Sequence, residues 1–348
     1  MPSDPPLFAV IMPTRNRASL FATALQSVLE QDFDNYEIIV VNDGSSSEND
    51  AQYRKLVEGL PRVKMLTLSR REQGHGQSYT LNQGAAEARA TYLCFLDDDD
   101  QWTDPQHLGR TARVISVGEI KPDLVLANQQ AYRGDMPAPG AVWVEDLRGR
   151  LAGAPDPGGA YVVTPAQLLR CPAHCHLNTT VVLRDLYLQI GGLDEGLRYE
   201  CDRDFYLRAI DQARSIRYIP HVVSRHNIPD PAAKANMSTI ESELSKRLSQ
   251  LRVFDKAALF SARPELREYA MRQRAYVLKH IATEAARLGR LDCAAYYARE
   301  ALITQPTLGW LGVTALYALR RPIVRATRAL DKRSNRVAGP GAPRTSPR

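Results

Sequence analysis

No stretch of this sequence is apolar for long enough to cross a bilayer. The longest candidate, LGWLGVTALYAL at 308–319, falls short of the roughly 18 residues a spanning helix needs. The start, MPSDPPLFAVIMPTRNR, has no basic opening, and its apolar run at 7–12 is only strand-length, so no secretory leader is expected. The five cysteines (Cys94, Cys171, Cys175, Cys201 and Cys293) are odd in number and irregularly spaced. That excludes a disulfide framework and fits a reducing compartment. Neither a GxxxxGK[ST] loop nor a GxGxxG turn follows the first strand, which removes the P-loop and dinucleotide-binding readings. A basic body is missing too. The 348 residues carry a net charge of +6, but 320–348 hold nine Lys/Arg against one acid, Asp331. The remainder is therefore close to neutral, which argues against nucleic acid and leaves a basic tail suited to an anionic surface.

What is present is an ordinary globular composition, 44% hydrophobic and 24% charged, with a change of character along the chain. Up to residue 133, strand and helix signals alternate: LFAVIMP, RASLFATALQSVLEQ, YEIIVVNDGS, NDAQYRKLVEGL, VKMLTLS, GQSYTLNQGAAEARA, TYLCFLDDDD and DLVLANQQAYR. Continuous apolar runs such as Ile38 to Val41 suit strands covered on both faces. The pattern predicts an α/β sandwich with a mostly parallel central sheet. Residues 134–160 are rich in Gly, Pro and Ala and read as a long loop with a short strand at AVWVED. YVVTPAQLLR begins with a weaker strand, and a second mixed segment ends at YIPHVVSRHN. Strand signals then vanish. Four helices are expected near 239–262, 264–288, 291–304 and 307–330, the pair around Gly289 looking like one helical hairpin of tetratricopeptide type. The expected organisation is an α/β domain at 1–237, a helical region at 238–330 and a disordered basic tail at 331–348.

Ligands of open α/β sheets sit beyond the carboxyl ends of the strands. Three polar motifs fall there: MPTRN, NDGSS and DDDD. Each alone reads as a turn, but three at one edge is an improbable accident. Backbone amides and the Thr14 hydroxyl suit a nucleotide base or phosphate, and the acceptor-only carboxylate of Asp43 suits a uracil N–H. Four adjacent aspartates, Asp97 to Asp100, repel one another unless a hard cation sits among them, and Mg²⁺ or Mn²⁺ shares its shell with phosphates. Together they point to a nucleoside diphosphate ligand.

VIMPTRNR, YEIIVVNDGSS and YLCFLDDDDQW together resemble the family 2 glycosyltransferases, and IGGLDEGLRYECDRDFYLRA resembles that family's acceptor-side stretch. The resemblance covers roughly residues 7 to 240. It implies a GT-A three-layer sandwich, with the C-terminal helices as an appendage. It also implies inverting transfer from a nucleotide sugar, a uridine diphosphate sugar by preference, to a glycan or glycolipid acceptor of the bacterial cell surface. Pro13, Thr14 and Arg15 would line the nucleotide site. Asp43 would contact the base, Gly44 and Ser45 would shape its turn, and Asn82 and Asp98 would also touch the donor. Asp99 and Asp97 would be the metal ligands, with His226 completing the site, for Mn²⁺ or Mg²⁺. Asp100 would start the following loop. Asp202 would be the catalytic base.

Three departures stand out. Cys201 occupies the place of the glutamate that usually precedes the base, with Glu200 one residue off. Leu81 replaces an arginine that would meet the nucleotide, for which Arg70, Arg71 or His75 would have to compensate. WTDP carries one residue more than usual before its proline. CPAHCH (171–176) lacks the second ligand pair a zinc site needs and reads as an acceptor-side loop, in which His174 or His176 lines the site and Asn178 bonds backbone. Two competing functions stay open: a sugar-phosphate nucleotidylyltransferase, which MPTRNRASL disfavours for want of glycines, and a degenerate scaffold without activity. The expected location is cytoplasmic. Contact with the inner membrane face through the basic C-terminal helix is weighed against simple packing of that helix.

Overall fold

The computed structural model describes residues 5–142, 144–229, 232 and 237–320. The expected tail at 331–348 and the last ten residues of the expected fourth helix lie outside them. In chain order the first elements are β1 (Phe8–Thr14), α1 (Ala18–Leu29), β2 (Tyr36–Asn42), α2 (Ser47–Val57), β3 (Val63–Thr67), α3 (Gln77–Glu87), β4 (Tyr92–Phe95), β5 (Gln101–Trp102) and α4 (His107–Ser116). Then follow β6 (Leu124–Arg133), β7 (Met136–Val142), α5 (Glu145–Arg150), β8 (Tyr161–Val163), α6 (Pro165–Leu168), a 3₁₀ turn (Leu177–Thr179) and β9 (Thr180–Leu183). The rest is α7 (Arg184–Gln189), α8 (Cys201–Gln212), β10 (Ile216–Asn227) and the helices α9 (Met237–Ile240), α10 (Glu243–Phe260), α11 (Pro264–Arg287) and α12 (Leu291–Thr304). A further helix runs over 308–320.

The strands form one sheet in the order β3-β2-β1-β4-β9-β6-β10-β5, with β7 beside β6 and β8 beside β10. β1 pairs in parallel with β2 and β4, and β2 with β3. β9 is antiparallel to both β4 and β6, so β6 and its parallel partner β10 run the same way as the first four strands. The common direction of those six strands brings the carboxyl ends of β1, β2 and β4 to one edge, where the three motifs lie.

Both faces of the sheet are covered, as the unbroken apolar strands require. β2 and β4 are buried throughout, and β1 at all but Pro13. Val10 and Met12 join Phe21, Leu25 and Val28 of α1 in one core. Ile11 and Val41 face α3 instead, across Gly84. A Cβ built on Gly84 would stand 2.4 Å from Ile11 Cγ2 and 3.2 Å from Val41 Cγ2. Gly84→Ala should therefore destabilise the fold. Overpacking costs about 1–3 kcal/mol, only partly offset by the roughly 1 kcal/mol of helix propensity that alanine brings. A lower urea midpoint at unchanged m-value is the expected readout.

The sequence reading missed α4. Its apolar stripe is short: His107, Leu108, Thr111, Val114 and Ile115 are buried. His107 is 2% exposed, packs edge-on against Trp102 at 4.8 Å, and neither ring nitrogen has a hydrogen-bond partner. Burial lowers its pKa from 6.5 to about 4, with Asp104 acting weakly the other way. Between those values the unfolded chain binds more protons than the folded one. This contribution is thus complete above about pH 6.5 and is lost as pH falls toward 4, a span of about 3 kcal/mol. His107→Leu should flatten the acid side of the stability–pH curve; an unchanged slope would remove His107 as its cause.

The 134–160 segment is more ordered than its composition suggests. β7 occupies 136–142, starting within the expected loop and taking in Ala141 and Val142 of the expected short strand at AVWVED; α5 begins at Glu145, and residue 143 is not described.

The chain divides into two compact units, one within Met1–Glu241 and Lys256–Tyr269, the other within Ser242–Asp255 and Ala270–Arg348. The first holds the sheet. In the second, α11 ends in a left-handed turn at Gly289, where Arg290 N–H reaches the Ala285 carbonyl at 2.8 Å. α12 buries Ala294, Ala298 and Ala301, and the Trp310 indole N–H donates to the Ala298 carbonyl at 2.9 Å. Among the described residues no helix is long and apolar enough to cross a membrane.

Candidate active site

At the carboxyl edge of β1 the Thr14 hydroxyl donates to Asp98 Oδ2 at 2.8 Å and lies 3.0 Å from the Tyr53 hydroxyl. Arg17 places one guanidinium nitrogen 3.2 Å from Asp98 Oδ1 and 3.1 Å from Asp99 Oδ2. The turn after β2 is locked to the turn after β1. Asn16 N–H donates to Ser45 Oγ (2.9 Å), Ser46 N–H to Asn16 Oδ1 (2.8 Å) and Ser45 N–H to Asn42 Oδ1 (3.0 Å). Gly44 adopts φ +63°, and a Cβ there would stand 2.7 Å from the Ser69 carbonyl, so the turn needs glycine.

Asp43 is enclosed by the 70–76 loop. Its carboxylate accepts from His75 N–H (2.8 and 2.9 Å) and Gly76 N–H (3.2 Å), and it meets His75 Nδ1 at 2.7 Å. The His75 ring stacks on Tyr79 at 5.0 Å, and Arg15 secures the loop by donating to the Arg71 and Glu72 carbonyls. Asn82 uses all of its amide capacity elsewhere. Its Oδ1 accepts from Leu193 N–H and Tyr187 OH, while its Nδ2 donates to the Leu193 carbonyl and Glu195. Asn82 thus pins the 192–195 loop, where sequence reading made it a donor contact. Leu81 is fully buried.

The four aspartates have four environments. Asp97 accepts from Gln77 Nε2 at 2.7 Å, and its own N–H donates to Asn178 Oδ1 at 3.1 Å. Asp98 and Asp99 face Arg17. Asp100, expected to begin a loop, is buried: it accepts from Asn178 Nδ2 (2.6 Å) and Asn227 N–H (2.7 Å) and meets His226 Nδ1 at 2.8 Å. Ligand atoms of Asp97, Asp100 and His176 lie within 4.8 Å of one another. Of the residues read from sequence as metal ligands, only Asp97 belongs to this group. Asp99 is turned to Arg17, and His226 reaches the group through Asp100.

Burial, then the carboxylates of Asp99, Asp100 and Asp98, push the Asp97 carboxyl well above the usual carboxylate range. Burial takes Asp98 up to about 6 against the pull of Arg17. Burial also lowers His176, which favours the neutral imidazole that ligates metals. His226 would be lowered by burial, but its bond to Asp100 raises it on balance. Two carboxylates and a neutral imidazole form a donor set that fits Mn²⁺ and, with less nitrogen character than it has, would fit Mg²⁺. The strain of crowded carboxylates at Asp97 is what a divalent cation relieves.

Asp202 stands on the first turn of α8 and meets His174 Nε2 at 3.0 Å. Arg203 Nε donates to His174 Nδ1 at 3.4 Å and pairs with Glu200 at 3.0 Å. These contacts describe an imidazole that donates from Nε2 to the carboxylate. Burial would raise Asp202, but its contacts with His174, then with His176 and Arg203, outweigh that cost and hold the carboxyl well below its ordinary value. Cys201, in the place of the usual glutamate, donates weakly to Gln77 Oε1 at 3.7 Å, and Gln77 in turn holds Asp97. His176 feels the carboxylates of both Asp202 and Asp100, so it lies between α8 and the acidic run. The CPAHCH loop therefore contributes histidines to the site; its buried cysteines, Cys171 and Cys175, are not in the metal-ligating group. Sequence reading named both histidines without assigning either, and gave no role to Arg17, Gln77 or Tyr53.

A sequence model described as Glycosyl transferase family 2 matches residues 9–137. A GalNAc(5)-diNAcBac-PP-undecaprenol beta-1,3-glucosyltransferase of Campylobacter jejuni is 35% identical over 96 residues, 28% of this chain and 30% of that protein. The match thus spans about a third of that relative's length. Among solved structures, S. aureus TarS 1-349 in complex with UDP-GlcNAc superposes with a TM-score of 0.61 at 17% identity, covering 84% of this chain and 80% of that one. The mannosyltransferase PcManGT of Pyrobaculum calidifontis, in complex with GDP-Man and Mn²⁺, gives 0.56 at 18% identity, with 91% and 85% covered. At these identities the two structures establish the likeness of fold.

Proposed function

The chain belongs to glycosyltransferase family 2 through residues 9–137, and from that premise we propose that it moves a sugar from a nucleoside diphosphate sugar to an acceptor hydroxyl with inversion. The observation that carries this reading is the meeting, at one sheet edge, of an acidic cluster fit for a divalent cation and an ionised carboxylate on a separate helix. Thr14, Arg15, Asp98 and the turn Asp43–Ser45 border the donor side. Asp43 takes the base once the His75 contact yields. Uridine diphosphate is the preferred donor nucleotide; the solved neighbours were captured one with UDP-GlcNAc and one with GDP-Man. Asp97, Asp100 and His176 would hold Mn²⁺ or Mg²⁺, with Asp99 and His226 beside them. A cation bound there supplies charge to stabilise the departing diphosphate.

Asp202 takes the proton of the acceptor hydroxyl as that oxygen attacks the anomeric carbon. His174 holds Oδ2 of the carboxylate, fixing its direction. The acceptor is a cell-surface glycan or glycolipid, in keeping with the lipid-linked substrate in the Campylobacter relative's name. Residues 1–237 form the catalytic domain and 238–330 a helical region, a division by role. The protein works in the cytoplasm and meets the inner membrane face through its basic C-terminal segment.

Calorimetry of uridine and guanosine diphosphates with and without Mn²⁺, followed by a donor–acceptor screen for diphosphate release, tests the reading. A folded protein that binds neither nucleotide would overturn it, and consumption of UTP with a sugar phosphate would replace it by nucleotidyl transfer.

A further inference from the structure

The second unit carries an apolar face for which the transferase site has no use. Residues 301–319 contain no charged side chain. The helix at 308–320 turns one side toward α12, with Trp310 and Thr314 bonded to the Ala298 carbonyl at 2.9 and 3.3 Å. Its other side is exposed and wholly apolar: Leu308, Leu311, Gly312, Ala315, Leu316 and Leu319. These positions follow the i, i+3, i+4, i+7, i+8, i+11 spacing of a single helical stripe. Leu308 is 89% and Leu319 71% exposed, values that water-facing leucines on a packed helix have no reason to reach together. In sequence the stripe runs directly into 320–348, with nine Lys/Arg and one acid.

We infer that this stripe lies in the interface of an anionic lipid bilayer, leucines among the acyl chains. The inference rests on the membrane contact proposed above and deepens it by naming the inserting residues. Basic charge alone would hold the protein to the headgroups by a salt-sensitive attraction. An inserted leucine face adds a part that salt does not screen. An uncharged stripe followed at once by cationic chain matches both layers of such a surface, apolar inside and anionic outside. A second copy of this chain would match the leucines and be repelled by the charge.

The test uses the full chain and its Leu308→Ser/Leu311→Ser/Leu319→Ser variant, co-sedimented with phosphatidylglycerol–phosphatidylcholine vesicles in low salt and in about 1 M salt, where the Debye length is about 3 Å. The wild type should keep measurable binding in high salt, and the variant should lose at least about tenfold in partitioning there. A dye on Leu311→Cys, placed in a Cys293→Ser background because Cys293 is an exposed thiol, should shift to the blue on the same vesicles, which guards against misreading a variant that folds poorly. Equal binding of the two proteins, with salt abolishing both, would overturn the inference while leaving the basic-tail contact in place. No wild-type binding would overturn both. Light scattering that finds a wild-type dimer and a monomeric variant, with no sedimentation, would assign the face to a second copy instead. Uridine diphosphate binding measured on the same two proteins keeps failure of the transferase reading separate, since neither result depends on the other.

Discussion

Asp202→Asn should lower the rate of sugar transfer by about 10²- to 10⁴-fold and leave donor binding unchanged. The substitution is nearly isosteric, and the asparagine Oδ1 can still accept from His174 Nε2, 3.0 Å away in the native site. The arrangement of α8 is therefore kept and only the proton-accepting charge is removed. That charge is secure in the wild type, because His174, His176 and Arg203 together outweigh the cost of burying it. A carboxylate held so far below its ordinary value is a modest base in the ground state. Its strength has to come from the developing alkoxonium of the acceptor in the transition state, so the loss should appear in kcat and not in the KM for donor. Transfer retained at near wild-type rate would remove Asp202 as base.

The second large effect is expected at Asp97. Asp97→Asn should weaken Mn²⁺ binding, followed by electron paramagnetic resonance, by at least about 100-fold, the upper end of what losing even an outer partner costs. Asp99→Asn should cost far less, since Asp99 is committed to Arg17 while Asp97 shares a 4.8 Å group with Asp100 and His176. The reverse ranking would restore Asp99 as the main ligand, as the family pattern implies. The same Asp97→Asn variant should be more stable than wild type in metal-free buffer at neutral pH. A carboxyl raised above its unfolded pKa binds protons better folded than unfolded. Its contribution is therefore favourable at low pH and is lost as pH rises through the folded value. The amide cannot ionise and avoids that loss. Metal affinity falling while apo stability rises would mark Asp97 as a residue retained for binding at a cost to the fold.

The strands that build the site were legible because burial on both faces leaves a plain signature. Ile38 to Val41 could hardly be anything else, and the polar residues just beyond such runs had to lie at the sheet edge. α4 was not legible. Its buried positions include a histidine and a threonine, so its apolar stripe falls below what periodicity can detect. β7 hid behind Pro137, Pro139 and Gly140, residues that usually end strands but are tolerated at the margin of a sheet. Within the site, four identical side chains in a row offer nothing by which to rank them. Asp100 is set apart by Asn178, His226 and Asn227, which are 78, 126 and 127 residues distant along the chain. The bonding of Asn82 was hidden for the same reason. Its partners, Tyr187 on α7 and Leu193 in the loop after it, are more than a hundred residues away, and no local pattern announces them.

The insertion of β9 between β4 and β6 has a consequence for synthesis on the ribosome. β4 is Tyr-Leu-Cys-Phe, fully buried, and its outer edge is completed only by Thr180–Leu183. At about 5–20 residues per second, that partner leaves the exit tunnel roughly 4 to 17 seconds after β4 does. For that interval the nascent chain presents an unpaired, apolar strand edge, the kind that recruits neighbouring chains. Overexpression at speed should thus favour inclusion bodies, and slower translation or a holdase chaperone acting before residue 180 emerges should recover soluble protein.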